Sequence, residues 1–304
     1  MERKRFIIID GNSLLHRAWH ALPLLTTKTG EVVNAVYGFA LVFLKVLREL
    51  RPDYLAVAFD TKAPTFRHLE FKEYKAKRTK QPEEFYAQIF RTKQLLESFG
   101  IKYLEASGYE ADDIIGTLTR VTRTCVESRA DLGGKIKNII VSGDLDSLQL
   151  IDEQTEVYTL KKGITETIIY DKKAVKERFG LNPEQLTDFK ALCGDPSDNI
   201  PGVKGIGKKT ALELIKKFVS LENLYQNLKG VEKEKIRNLL LRSKEEAFLS
   251  KKLISLKKDL KIDFNLEDFR LGKFDIKSMY KMSRSETLLR IQGVFDIQEL
   301  RLVG

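Results

Sequence analysis

Three short apolar runs in this chain each end at a carboxylate: "FIIID" (6–10), "YLAVAFD" (54–60) and "NIIVSGD" (138–144). Apolar, β-branched runs of this length, without polar alternation, read as strands buried on both faces, as at the centre of a parallel sheet. Helical patterns separate them. Across "VYGFALVFLKVLREL" (36–50), Phe39, Val42, Phe43, Val46, Leu47 and Leu50 recur at three- and four-residue steps, and Ile114, Ile115, Leu118, Val121 and Cys125 do so between Ala111 and Glu127. A further helix is expected from Pro82 to the Gly100 stop, a strand in "IKYLEA" (101–106), and a strand pair in "TEVYTL" (155–160) and "TETIIY" (165–170). Strands alternating with helices imply an α/β fold, a mostly parallel central sheet flanked by helices. Beyond about residue 172 the strand signals stop and helices dominate. The expected organisation is therefore an α/β core over 1–171 and a helical C-terminal region over 172–304.

In a parallel sheet the carboxyl ends of the strands share one edge, where open α/β folds place their sites. Asp10 and Asp60 end two strands, and Glu110, Asp112 and Asp113 in "GYEADD" open a helix after the next. Asp144 and Asp146 follow "NIIV", and "GDPSDNIPG" (194–202) adds Asp195 and Asp198, three apart at a helix end and so able to point the same way. Singly, each has an ordinary reading: a helix cap or turn residue, an acidic first turn suiting the helix dipole, or a loop. Those readings do not explain why acids recur at the ends of successive strands.

Nine carboxylates in one crevice cannot all stay ionised unless cations neutralise them or some protonate. The two cysteines, Cys125 and Cys193, do not fall in a metal-ligand spacing, and without Cys pairs neither zinc nor a disulfide has support. An all-oxygen set suits Mg²⁺ or Mn²⁺, and two such ions roughly 4 Å apart can clamp a phosphodiester. The chain as a whole is basic, with 53 Lys and Arg against 43 acids and a net charge of +10. Setting the nine acids aside nearly doubles that excess, so an acidic hole sits in a body suited to a polyanion. No apolar run approaches a membrane span, and "MERKRFIIID" carries no signal-peptide cleavage site. A cytoplasmic protein is expected.

Two segments read as grips for nucleic acid. In "PGVKGIGKKTALELI" (201–215), Gly202, Gly205 and Gly207 surround Val203 and Ile206, and Lys204, Lys208 and Lys209 stand at the hairpin and the start of the next helix. Glycines let the backbone approach a phosphate, and the N–H groups of a helix start face it. Lysines there oppose the dipole, which points to an anionic ligand. The pattern resembles a helix-hairpin-helix over about 186–218, with a purely structural glycine turn as the alternative. Residues 62–80 hold seven Lys or Arg and two acids, interleaved with Phe66, Phe71 and Tyr74. That mixture suits single-stranded nucleic acid stacking on rings, with a solvated charged segment as the alternative.

"IIIDGNSLLHRAWHAL", "AVYGF", "FDTKAPTFRH", "YKAKR", "GYEADD", "SGDLDSLQL" and "GDPSDNIPGVKGIGKKTA" occur in the order of one family's motifs. Over nearly its whole length the chain resembles the bacterial 5′-3′ exonuclease, or 5′ nuclease, domains that form the N-terminal part of DNA polymerase I, within the flap endonuclease family. The resemblance implies that all nine acids surround divalent metals, with Asp10, Asp60, Glu110, Asp112 and Asp113 on the side of the chemistry and Asp144, Asp146, Asp195 and Asp198 on the other. It implies a helical arch over about 62–90, with Arg17, Tyr74, Lys75 and Arg78 near the scissile phosphate, and a K⁺ ion in the hairpin around Val203 and Ile206. The implied substrates are DNA with a 5′ flap, nick or single-stranded 5′ end and RNA primer–DNA junctions, cut by a monomer at the nucleoid during replication and repair.

Two departures stand out. Leu145 lies between Asp144 and Asp146 where a basic residue is common, and the chain ends at Gly304 without a polymerase, so it is read either as free-standing or as cut from a longer protein. Two other classes are weighed beside the nuclease: a non-catalytic binder of branched DNA, which would be expected to have lost acids, and a PIN-like ribonuclease, which would be shorter and lack the hairpin.

Overall fold

The computed structural model describes residues 3–27, 30–128, 136–163, 166–271 and 300–302. The opening apolar run forms β1 (Lys4–Asp10), and α1 (Gly11–Ala21) starts on the next residue because the Asp10 side chain caps it, accepting from the Ser13 N–H. A short β2 (Leu25–Thr27) leads to α2 (Asn34–Leu50), then β3 (Tyr54–Phe59), α3 (Phe66–Glu70), α4 (Glu83–Ser98), β4 (Tyr103–Glu105) and α5 (Ala111–Ser128). After β5 (Ile136–Val141), a 3₁₀ turn over Leu145–Leu150 precedes β6 (Thr155–Lys162) and β7 (Glu166–Tyr170). Helices follow: α6 (Lys172–Phe179), α7 (Leu186–Cys193), α8 (Lys208–Phe218), α9 (Leu221–Gln226), α10 (Glu234–Arg242) and α11 (Lys244–Ile254), and β8 (Leu300–Leu302) pairs antiparallel with β2.

One six-stranded sheet has the order β4-β3-β1-β5-β6-β7. Its first five strands are parallel, and β7 returns antiparallel to β6. Side chains of β1 alternate between two cores. Ile7 and Ile9 pack with Phe39, Phe43 and Leu95 of α2 and α4, whereas Phe6 and Ile8 pack with Ile114, Ile115 and Leu118 of α5. Burial on both faces is why these strands are uninterrupted apolar runs.

The expected sheet and its helices are present, as is the helical region after 172. The helix of α1 was not anticipated, nor was the β2–β8 pair, whose three-residue strands are too short to stand out from their surroundings. The rings of residues 62–80 differ from expectation. Tyr74 is 3 % exposed, and Phe66 and Phe71 are half-buried, Phe71 against the core and Phe66 against Tyr109. They anchor the segment to the core instead of offering faces to bases.

Candidate active site

β1, β3 and β5 end side by side, and the turns after them, with the start of α5 and the end of α7, wall a cleft of about 1060 Å³. Asp10, Asp60, Glu110, Asp112, Asp144, Asp146 and Asp195 line it, with Arg17, Lys75, Arg78 and Lys208. Asp10 serves two ends: its Oδ1 accepts from the Ser13 N–H at 2.9 Å, and its Oδ2 accepts from the Ser142 hydroxyl at 2.8 Å. Burial pushes its carboxyl up to about 7, with the charges of Asp60 and Asp144 adding to the shift. Asp60 accepts from the Ala111 N–H at 2.7 Å. Its side chain reaches solvent within the cleft, yet desolvation between the walls raises its carboxyl, and Glu110 adds. Asp112 has a buried Oδ1 without a hydrogen-bond partner among the described residues, and burial, then the charges of Asp10 and Asp144, raise it well above the ordinary range.

Two lysines bridge the acids. The Lys75 ammonium lies 2.6 Å from Glu110 Oε1 and 4.0 Å from Asp198 Oδ2. Although burial opposes its charge, these two carboxylates hold Lys75 above the ordinary lysine range. Lys190 of α7 donates to Asp146 Oδ1 and, at 2.7 Å, to Asp195 Oδ2. Burial pushes Asp146 up to about 6 and Asp144 adds to this, against the pull of Lys190. For Asp195 burial is outweighed: the hydrogen bonds from Lys190 and Ser197 hold it below the ordinary range.

The segment after α3 closes onto the acids. The Lys75 N–H donates to the Asp198 carbonyl at 2.9 Å, and Asn199 Nδ2 donates to the Glu73 carbonyl at 2.7 Å. Lys75 and Asn199 both take positive φ, 55° and 56°, a conformation that costs roughly 1–2 kcal/mol for a non-glycine residue and that these contacts maintain. The Tyr74 hydroxyl sits 3.1 Å from Glu110 Oε2 and 3.3 Å from Asp198 Oδ2, and Arg78 pairs with Asp198. Tyr74 is thus a buried strut between two acids, and its ring offers no face to a base here.

Asp113 is the second correction. It is fully buried, faces away from the cleft, and has both oxygens engaged: Oδ1 by Arg67 Nη2 and the Lys257 N–H, each at 2.8 Å, and Oδ2 by Arg67 Nη1 at 2.7 Å and the Glu110 N–H at 3.1 Å. A carboxylate with four donors already in place has no lone pair aimed at a shared ion, so Asp113 leaves the expected ligand group. Its partner Arg67, 1 % exposed, was counted with the surface cations of 62–80. Lys190 was also missed. Its one sequence signal is a lysine inside the apolar "DFKALCG" helix, five residues before Asp195.

The hairpin between α7 and α8 lies beside this cleft. Gly202 has φ 63°, and a Cβ there would stand 2.3 Å from the Gly194 N, while Gly205 has φ 92°, so both positions require glycine. Val203 and Ile206 are buried beneath the turn, and Lys204, Gly207, Lys208 and Lys209 are exposed on it. Among the described residues no three carboxylates are arranged as one ready ligand set for a metal. Lys75 and Lys190 now carry the counter-charge. The donors nevertheless fit a hard divalent cation, because they are all oxygen and include the orphaned Asp112 Oδ1 beside the raised Asp10. Both cysteines are free thiols, and no described helix is long and apolar enough to cross a membrane.

Comparison with known proteins matches the whole of this architecture. DNA polymerase I of Bacillus subtilis (strain 168) is 41% identical over 295 residues, covering 96% of this chain and 32% of the relative. DNA polymerase I of Caldicellulosiruptor bescii is 42% identical over 304 residues, covering 98% and 35%. The chain therefore spans about a third of the length of the curated relatives it matches. Among solved structures, bacteriophage T5 5′-exonuclease with bound zinc superposes at a TM-score of 0.68 with 19% identity, covering 97% of this chain and all of that one. T5 D15 flap endonuclease, in a pseudo-enzyme-product complex with DNA and metal ions, superposes at 0.67. The model of the 5′-3′ exonuclease N-terminal resolvase-like domain matches residues 5–180, and that of the 5′-3′ exonuclease C-terminal SAM fold matches 181–277. With two family models running end to end through cleft and hairpin, the chain belongs to the 5′-3′ exonuclease family.

Proposed function

We propose that this chain is a divalent-metal-dependent, structure-selective 5′ nuclease, acting as a 5′-3′ exonuclease and 5′-flap endonuclease on DNA and on RNA primers paired to DNA. The observation that carries this reading is one cleft wall shared by seven carboxylates and by Lys75, Arg78 and Lys208. Asp10, Asp60, Glu110 and Asp112 would hold one Mg²⁺ or Mn²⁺ ion, and Asp144, Asp146, Asp195 and Asp198 a second. Bound there, such ions supply an activated water and a counter-charge for the leaving oxygen.

The protein's own groups do the rest. Ser13 and Ser142 fix the rotamer of Asp10, and Lys75 and Arg78 bring preorganised positive charge to the reacting phosphate. Arg17, bonded through Nη2 to the Leu160 carbonyl, faces the same space. The exposed Lys204, Lys208 and Lys209, with the backbone at Gly202, Gly205 and Gly207, grip the duplex phosphates, and a K⁺ ion in the hairpin at Val203 and Ile206 belongs to this reading. Relatives that carry a polymerase support action beside one, on the same or a separate chain, in primer removal and repair. A monomer in the cytoplasm, at the nucleoid, is the form expected.

The test is a product map on an end-labelled 5′-flap duplex, with Mg²⁺ and with EDTA, beside single-stranded RNA. Cutting at the flap junction only with metal, its loss in Asp112→Ala with DNA binding retained, and inert RNA are expected. Cleavage by Asp112→Ala at the normal rate overturns the assignment.

A further inference from the structure

A second concave site of about 410 Å³ lies apart from the cleft and shares none of its lining residues. Arg120, Lys252, Lys257 and Lys258 line it with Ser255 and the exposed Asp259. Its charge is poorly compensated. Lys252 pairs with Glu70 at 2.7 Å, but Arg120 donates to the Lys258 carbonyl at 3.3 Å, and the Lys257 ammonium stands 5.2 Å from the Phe66 ring centroid. Among the described residues no carboxylate pairs with Lys258. Asp152, the acid acting on it, is itself 3.2 Å from Arg123.

The backbone beneath these cations is rigidly held. The Leu256 N–H donates to Gln149 Oε1 at 3.1 Å, the Lys257 N–H to Asp113 Oδ1 at 2.8 Å, and the Leu260 N–H to Thr117 Oγ1 at 3.3 Å. A Cβ on Gly116 would stand 2.7 Å from the Lys257 carbonyl, so the segment lies directly on α5. Folding therefore gathers like charges in one hollow and fixes them there, an arrangement that gains most from an anion. α5 also sets the distance. It presents Asp112 to the cleft and Arg120 to this hollow, eight residues on, which is about 12 Å at 1.5 Å per residue.

We propose that Arg120, Lys252, Lys257 and Lys258 form a backbone-phosphate site that holds a DNA strand beyond the cleft, about 12 Å along α5 from the acids. The ligand group is a phosphodiester, met by separate ammonium and guanidinium donors and by no stacking ring, so binding is independent of sequence. This rests on the chain being a DNA nuclease.

The experiment compares the full chain with Lys257→Ala/Lys258→Ala and with the single Lys258→Glu, which probes the exposed charge alone if the double variant folds poorly. Affinity for a fluorescent 5′-flap duplex is measured in EDTA across a salt series, and turnover is measured with Mg²⁺ at saturating DNA. Each lost phosphate contact lowers the slope of log K against log salt by about 0.7–0.9. A slope lower by about 1–2, affinity weaker by about tenfold at 0.1 M salt, and unchanged turnover are expected. Unchanged slope and affinity in both variants overturn the site. So does competition by inorganic phosphate that exceeds chloride at equal ionic strength and disappears in the variants while the DNA slope stays put, because the hollow is then a free-anion site. If the wild-type chain neither binds nor cuts the flap, it is the nuclease reading that fails.

Discussion

Asp112 and Asp113 are adjacent in sequence, and their replacement by asparagine should move stability in opposite directions. Asp113→Asn would remove the charge that compensates Arg67 and would place an amide NH₂ against a donor. Arg67, 1 % exposed, would keep its bonds to the Leu253 and Ser255 carbonyls, but Glu110, at 3.5 Å, would be the one carboxylate left to pair with it among the described residues. Breaking a buried pair while leaving one charge behind costs about 3–5 kcal/mol. Asp112→Asn instead removes a charge that burial and the charges of Asp10 and Asp144 disfavour. Removing repulsion of this kind is worth about 1–2 kcal/mol in metal-free protein, one pKa unit being about 1.4 kcal/mol. The assay is equilibrium unfolding in urea at pH 8 with EDTA, followed by the fluorescence of Trp19, the single tryptophan, whose ring packs 5.6 Å from Phe85. Asp113→Asn should unfold at lower urea than wild type and Asp112→Asn at higher. If Asp113→Asn leaves the midpoint in place, Asp113 belongs with the cleft acids; if both variants fall together, Asp112 is not a strained cleft charge, and either result refutes the division between them.

Three further outcomes are expected. Asp10 and Asp146 hold protons in the fold up to about 7 and about 6, above their ordinary 3.8. The stability this contributes is complete at low pH and is lost as pH rises through those values. Metal-free protein should therefore melt at a lower temperature at pH 8 than at pH 5, and Mg²⁺ should raise the melting temperature more at pH 8; equal gains would refute this. Lys190→Met, which removes an ammonium 29% exposed and shared by two acids, should cost about 1–3 kcal/mol without metal, and added Mg²⁺ should restore more stability than it gives the wild type in the same urea assay. Lys75→Ala should slow single-turnover flap cleavage by about 10²–10³ while the duplex Kd changes by less than about threefold; equal activity would remove Lys75 from the chemistry.

The sheet was legible because strands buried on both faces have no choice but continuous apolar runs, as in "FIIID" and "YLAVAFD". The acids were legible because they recur where those runs stop. The cap reading and the cleft reading of Asp10 turn out to be compatible: it caps α1 with one oxygen and takes a bond from Ser142 with the other. Asp113 was misjudged because neighbours on a first helical turn point in different directions, and its partner Arg67 lies 46 positions away. Lys190 was invisible for a similar reason, since what distinguishes it from a solvated helix lysine is Asp146, brought near only when α7 packs beside the turn after β5. The rings of Phe66, Phe71 and Tyr74 were read by composition, and composition carries no inward or outward direction.

The contact between residues 73–75 and 198–199 joins the mouth of the cleft to the hairpin. Main chain bonds main chain at Lys75 and Asp198, and a side chain bonds main chain at Asn199 and Glu73. Such a link transmits displacement where two loosely apposed surfaces would slide. Anything that lifts the mouth from the acids must pull on the loop preceding α8, and anything that seats the hairpin must draw the mouth down. In the proposed nuclease, gripping a duplex at the hairpin and closing the mouth of the cleft would then be one movement, with left-handed Lys75 and Asn199 at the link.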